Sequence, residues 1–259
     1  MKLYAFHAGG ERADMAAFDP FDPEVGTKID IPYFFYLIQH ERGNVLFDSG
    51  AHPSLATNPR ERLGDEADNW EIVMSPDDGA ADRLATVGID PSDITHVVQS
   101  HLHYDHAGGL CFFAHAPVYV QRDELAFAYS PPIYQEGLYL KADFDLPDIH
   151  WHELDGEHDI FGDGRLVVVP TPGHCAGHQS LIVRLESQTV ILVADAAYLV
   201  EKMRARALPA GAMVWSPDHM VASWEKLERL ERELDAALIP SHDLKFRERI
   251  RMAPDQWYE

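Results

Sequence analysis

Residues 100–109 read SHLHYDHAGG and place an unusual set of side chains in a very short stretch. Fifteen histidines are spread over 259 residues, yet three stand between His101 and His106, with Asp105 beside the last. In an extended segment alternate side chains point to the same side, so His101, His103 and Asp105 are expected to face one way. Imidazole and carboxylate groups without clustered thiolates are the ligands that zinc and other first-row divalent ions take at catalytic sites.

Four potential ligands each stand at or just beyond the end of a predicted apolar strand: His101 after 95–100, His174 in 165–174, Asp195 in 179–198 and His242 in 237–243. Strand ends on a shared sheet are rigid platforms for the loops that carry function. The sequence therefore predicts that these side chains converge on one edge of the fold, although they lie far apart in the chain.

The remaining apolar pattern predicts further strands and helices. YFFYLIQH (33–40) and NVLFDSG (44–50) are predicted to form a hairpin of buried strands. DDGAADRLATVG (77–88) predicts a helix, and the Ser-Pro pair at 216–217 predicts the start of another. Because no repeat or Ser/Gly linker divides the sequence, we expect a single domain over residues 1–259.

The net charge of the chain restricts the classes of molecule that it is expected to bind. It carries 43 acidic and 21 basic residues, a net charge of −22, which nucleic acid and anionic membranes repel. The one basic cluster, KFRERIR at 245–251, is predicted to be a solvated helix or strap. No apolar run approaches the ~20 residues that cross a bilayer. We expect a small-molecule partner, no nucleic-acid or membrane partner, and either a monomer or a homodimer.

The cellular compartment is predicted from the N-terminal residues and from the cysteine content. The first residues carry an apolar patch too brief for a secretory signal. The only two cysteines, Cys111 and Cys175, make no disulfide framework and suit a reducing environment. We therefore expect a cytoplasmic protein.

The segment 100–109 matches the His-x-His-x-Asp-His signature of the metallo-β-lactamase superfamily, and TPGHCAGH, ADAAY and SHD follow in the required order. The chain resembles this superfamily from about residue 33 to 243. The resemblance implies a four-layer αββα sandwich with two divalent metal ions per chain along one sheet edge. Zinc is favoured, with iron, cobalt and manganese as alternatives. By this resemblance the first ion is held by His101, His103 and His174, the second by Asp105, His106 and His242, and Asp195 bridges the two.

Such a site predicts hydrolysis of a carbonyl or phosphoryl ester. The redox branch of the superfamily normally has glutamate where His103 stands, and the net charge disfavours nucleases. Thioester hydrolases of the glyoxalase type use basic residues that are not evident here. ADAAY and TPGHCAGHQSL resemble the N-acyl-homoserine lactonases and related γ-lactonases, in which a tyrosine at the position of Tyr198 points at the metals. Stretches 56–65 and 118–131 resemble the γ-butyrolactone-opening members.

Two residues are predicted to be catalytic. Tyr198 would stabilise the negative charge that develops on a lactone carbonyl oxygen, unless its hydroxyl merely finds a partner in a half-buried setting. Asp105 would both ligate and carry a proton from the attacking hydroxide to the departing alkoxide. His178 is predicted to hydrogen-bond near the site or to pack, without ligating. The resemblance implies that Asp48 braces the site without ligating.

We therefore expect a lactonase that hydrolyses the ester bond of N-acyl-homoserine lactones and so quenches quorum signals. The alternatives are a hydrolase of a small catabolic lactone such as γ-butyrolactone, a thioester hydrolase, or a metal-bound protein with a redox or sensing role. The aromatic segments 18–36 and 126–151 are either substrate-binding loops or core cover, and Tyr104 either lines the pocket or packs.

Overall fold

A computed structural model describes residues 1–243, Lys245 and residues 249–259, so the basic stretch 245–251 lies partly outside the described residues. Within these described residues, seven strands form the first of two sheets: β1 (Lys2–Asp14), β2 (Lys28–His40), β3 (Gly43–Phe47), β4 (Glu71–Val73), β5 (Ile94–Val98), β6 (Pro117–Gln121) and β7 (His150–Leu154). Their spatial order is β4-β1-β2-β3-β5-β6-β7. The predicted hairpin is confirmed, because β2 and β3 pair antiparallel.

In the part of the chain that the structure describes, five strands form the second sheet: β8 (His158–Asp159), β9 (Leu166–Pro170), β10 (Gln179–Arg184), β11 (Thr189–Ala194) and β12 (Ala236–Pro240). Their order is β12-β11-β10-β9-β8. The hairpin predicted over 179–198 is confirmed as the antiparallel pair β10–β11, and β12 joins β11 in parallel. The carboxyl ends of β11 and β12 therefore lie side by side, which brings the residues that follow them together.

The helices are mostly short: α1 (Pro59–Leu63), α2 (Ala80–Ala85), α3 (Tyr104–Ala107), α4 (Arg122–Tyr129), α5 (Lys141–Phe144), α6 (Val200–Arg204) and α7 (Pro217–Leu234). The longest, α7, begins where the Ser-Pro pair predicted, and the Ser216 hydroxyl accepts the backbone N–H of His219. The helix predicted over 77–88 is shorter than expected. Gly79 has an extended backbone (φ −60°, ψ 150°) and separates a 3-10 turn from α2.

Apolar side chains divide the molecule into four layers. Strand β2 is buried on both faces, so its side chains alternate between two cores. Phe34 and Ile38 pack between the sheets, whereas Phe35 and Leu37 face the helices outside the first sheet. On the far side, α7 covers the second sheet: Met220, Trp224 and Leu227 pack against Val169, Ile191 and Val193. The predicted αββα sandwich is confirmed.

Within the described part of the chain, no helix combines the length and the apolar character that crossing a membrane would require. The segment 18–36 is not one loop, because its second half belongs to β2.

Candidate metal centre

The structure brings together all seven side chains that the sequence singled out as metal ligands. They follow the ends of four strands: His101, His103, Asp105 and His106 come after β5, His174 after β9, Asp195 after β11 and His242 after β12. Six of them are buried, and Asp105 is partly exposed. Both sheets therefore contribute to one site, at the edge where these strands end.

Three histidines form a first group of donor atoms. His174 Nε2 lies 3.2 Å from His101 Nε2 and 2.9 Å from His103 Nδ1. Nitrogen ligands about 2.0–2.1 Å from a tetrahedral zinc ion are about 3.3 Å apart, so this spacing suits a shared ion. Burial lowers the pKa of all three imidazoles, and each therefore has a free lone pair at neutral pH.

A second group is formed by Asp105, His106 and His242. The Nε2 atoms of His106 and His242 lie 3.4 Å apart, and Asp105 Oδ2 is 3.3 Å and 3.5 Å from them. Imidazole and carboxylate atoms that converge in this way can hold a divalent ion.

Asp195 lies between the two groups. Its Oδ1 is 3.2 Å from His106 Nε2 and 3.0 Å from His242 Nε2. Its Oδ2 is 3.8 Å from His101 Nε2 and 3.5 Å from His174 Nε2. One carboxylate oxygen thus faces each group, which is the arrangement that a bridging ligand needs.

The expected orientation of Asp105 is wrong, although its place in the site is as predicted. The alternation of an extended strand would have put Asp105 beside His101 and His103. Instead β5 ends at Val98, and His103 begins a helical turn in which its carbonyl accepts the N–H groups of His106 and Ala107. This turn directs Asp105 to His106 and His242.

Two neighbouring residues orient the donors as the sequence predicted. Asp48 accepts the backbone N–H and the hydroxyl of Ser100 at 2.7 Å and 2.9 Å, and its Oδ2 lies 2.8 Å from His106 Nδ1. His178 Nε2 accepts the backbone N–H of Asp195 at 3.1 Å. Hydrogen bonds of this kind fix the tautomer and orientation of ligating side chains.

Glu124 is a buried carboxylate that the sequence analysis missed. It accepts the backbone N–H of Leu102 at 2.9 Å and that of Gly177 at 3.3 Å, and the Tyr139 hydroxyl donates to it at 3.0 Å. A Cβ added at Gly177 would lie 2.1 Å from the backbone nitrogen of Glu124. The loop that carries His174, at Gly177, and the loop that carries His101, at Leu102, are thus both fixed to α4, and no local sequence signal marks this link.

Tyr198 lies beside the first group of donors. Its hydroxyl is 2.5 Å from His174 Nδ1 and donates to the carbonyl of Met213 at 3.0 Å. The same carbonyl lies 3.0 Å from His174 Nδ1. The hydroxyl therefore has partners at rest, and it also lines the cavity described next.

A cavity opens onto the donor atoms. Five donor side chains line it: His103, Asp105, His174, Asp195 and His242. Its remaining wall is largely apolar, with Phe18, Ile31, Leu138 and Met213 among its members. Phe18 and Leu138 come from the segments 18–36 and 126–151, so each segment contributes to the pocket.

Glu11 also lines this cavity and was not predicted from the sequence. The hydroxyls of Tyr33 and Tyr104 both donate to its Oε2, each at 2.5 Å. Burial raises the pKa of Glu11 to about 7, and the charge of Asp105 adds to this effect. Tyr104 therefore both lines the pocket and packs.

Comparison with known proteins fits this geometry. The sequence matches the metallo-beta-lactamase superfamily over residues 31–242. The chain belongs to this superfamily. Within the superfamily it is 38% identical over 237 residues to the N-acyl homoserine lactonase AttM of Rhizobium radiobacter, covering 90% of this chain and 86% of AttM. It is 30% identical over 233 residues to the N-acyl homoserine lactonase AiiA of Bacillus thuringiensis subsp. kurstaki, covering 89% and 88%.

One solved structure of the superfamily extends the likeness to the whole fold. It is an N-acyl homoserine lactone hydrolase with the product N-hexanoyl-L-homoserine bound at its catalytic metal center. The two folds superpose with a TM-score of 0.88 at 27% identity, covering 99% of this chain and 98% of the other.

Proposed function

We propose that this protein is a metal-dependent hydrolase that opens the lactone ring of N-acyl homoserine lactones and thereby quenches quorum signals. One observation carries the proposal. Tyr198 and five donor side chains line a single cavity, in a chain that is 38% identical to an N-acyl homoserine lactonase.

The proposed cofactor is a pair of divalent ions, with zinc favoured. His101, His103 and His174 would hold one ion, Asp105, His106 and His242 the other, and Asp195 would bridge them. The convergence of these nitrogen and oxygen atoms supports the assignment. When bound, such ions lower the pKa of water to ~7 and polarise an ester carbonyl.

The side chains of the cavity would act on both ends of the ester. Tyr198 donates its hydroxyl proton in a hydrogen bond to the carbonyl oxygen, where negative charge develops. Asp105, the donor side chain most open to solvent, accepts the proton that the attacking water loses. It then returns this proton to the ring oxygen as the carbon–oxygen bond breaks. The product is a hydroxy acid, which releases one proton at pH 7–8.

Proton release from a series of lactones tests the proposal. If the apolar wall binds the acyl chain, catalytic efficiency should rise from γ-butyrolactone to a medium-chain N-acyl homoserine lactone, because each buried methylene contributes ~0.8 kcal/mol. A flat or reversed series would favour the small catabolic lactone instead. No turnover of either lactone, with clear hydrolysis of a thioester, would refute the lactonase proposal.

The identity of the bound metal tests the alternative of a redox role. A colourless zinc-loaded protein that hydrolyses lactones fits the proposal, whereas iron with oxygen-dependent turnover would indicate a redox role. The cytoplasmic location, the absence of nucleic-acid and membrane partners, the choice between monomer and homodimer, and the single domain all stay predictions.

A further inference from the structure

Three polar groups in the cavity wall belong neither to the metal donors nor to the residues proposed to act on the ester: the carboxyl group of Glu11, the hydroxyl of Tyr104 and the indole of Trp70. The Tyr104 hydroxyl donates to Glu11, which leaves Glu11 and Trp70 as the groups that can meet a ligand. The mechanism proposed above uses neither of them, although polar groups in an otherwise apolar pocket usually fix the orientation of a ligand.

Among the described residues, hydrogen bonds reach one of the two carboxyl oxygens of Glu11 and hold the group in one orientation. Both tyrosine hydroxyls donate to Oε2, and among the described residues no hydrogen bond reaches Oε1. Because Tyr33 and Tyr104 come from β2 and α3, the carboxyl group is fixed from two sides. Oε1 is therefore a positioned hydrogen-bond acceptor at the wall of the cavity.

Trp70 offers the complementary group. Its indole Nε1 is buried and has no hydrogen-bond partner among the described residues. A buried donor without a partner is costly, so this N–H suits an acceptor that a ligand brings.

The sheet places the two residues near each other. Glu11 pairs with Ile72 across β1 and β4, and Trp70 lies in the bend immediately before β4. The side chains of Glu11 and Trp70 both line the cavity. The wall of one cavity thus carries an acceptor and a donor.

A secondary amide has the matching chemistry, since it offers one N–H and one carbonyl oxygen. A simple lactone ring offers acceptors only. We propose that Glu11 and Trp70 recognise the amide of an N-acyl lactone: Glu11 Oε1 accepts the amide N–H, and Trp70 Nε1 donates to the amide carbonyl. This inference rests on the proposed function and assigns the residues that distinguish amide-bearing lactones from plain ones.

The test compares two substrates with the same chain length. One is N-hexanoyl homoserine lactone, and the other is a γ-butyrolactone that carries its alkyl chain through carbon, without the amide. The variants are Trp70→Phe, which removes the indole donor, and Glu11→Gln, which offers the tyrosines a carbonyl and turns an N–H group toward the substrate. Trp257→Phe is the matched control, because Trp257 lies outside the cavity and donates to Glu259.

For the amide substrate, each cavity variant should raise KM about threefold to tenfold, the effect of one hydrogen bond. Because the amide carries the same charge before and during ring opening, kcat should change less than KM. For the alkyl lactone both constants should stay within twofold of the unaltered protein, and Trp257→Phe should change neither substrate.

The possible failures are distinguishable. If the unaltered protein opens neither lactone, the proposed function fails. If it opens both, and the two cavity variants raise KM equally for both substrates or for neither, then Glu11 and Trp70 do not recognise the amide. Should Glu11→Gln fail to fold, Trp70→Phe alone still decides, since it changes no charge and leaves the tyrosine bonds intact.

Discussion

Replacing Tyr198 with phenylalanine removes one hydroxyl group and leaves the ring in the cavity. In the resting structure this hydroxyl contacts His174 Nδ1 and the carbonyl of Met213. Two roles are therefore in competition. The hydroxyl either stabilises the transition state or only holds His174 in place for a metal ion.

The two roles predict effects of different size on different quantities. If Tyr198 only holds His174, its loss removes one hydrogen bond, and the Met213 carbonyl still lies 3.0 Å from Nδ1. Metal affinity would then fall about threefold to tenfold, and kcat at saturating metal would be unchanged. If the hydroxyl stabilises the developing oxyanion, its loss raises the barrier by ~2.7–4 kcal/mol, or about 10²–10³ in kcat.

We expect the second result. The assay is lactone hydrolysis by Tyr198→Phe at saturating zinc, with metal content measured on the same sample. Burial raises the pKa of Tyr198, so the hydroxyl stays protonated and the effect should be constant between pH 6 and 9. A variant that holds both ions and loses less than tenfold in kcat would refute the catalytic role, as would one that loses activity only in proportion to lost metal.

Metal-saturated protein should contain two ions per chain, His242→Ala should contain fewer and His178→Ala still two; elemental analysis that finds one ion or none in the unaltered protein would contradict the donor assignment. In the metal-free protein, Glu11 keeps its proton up to about pH 7 when folded but releases it near pH 4.5 when unfolded. The free energy of unfolding should therefore fall by about 3 kcal/mol from pH 4.5 to 7, and urea titrations of Glu11→Gln should lack this part of the fall. Trp224→Ala should cost about 3–5 kcal/mol, because the buried ring fills the core beneath α7; an unchanged urea midpoint would disprove that packing.

The donor residues were predictable because their signal is local. Each stands within a few residues of an apolar strand end, and a strand that runs into a polar turn can be recognised from five or six residues. His174 and His242 illustrate this, since both follow β-strands that the sequence delimited to within a few positions. The orientation of Asp105 was not predictable in this way. The residues that follow β5 are compatible both with an extended segment, in which alternate side chains share a face, and with a helical turn.

The Glu11 cluster could not be predicted because it depends on distant chain segments. Its carboxyl group meets Tyr33 across the β1–β2 pair and Tyr104 from the turn after β5. The register between β1 and β2 shifts between His7 and Gly10. Such an irregularity changes which face later side chains occupy, so strand periodicity alone does not reveal that Glu11 points to the cavity.

The attachment of two loops to Glu124 bears on how the substrate range of this protein could be altered. Libraries that randomise whole loops would include Gly177, where any side chain would collide with the backbone of α4. Most variants in such libraries would differ in whether they fold, and selection would mainly recover the folded ones. The side chains of Phe18, Leu138 and Met213 line the cavity, and a substitution at Met213 keeps the backbone carbonyl that lies near His174, so variation confined to these three positions should yield the larger share of active clones.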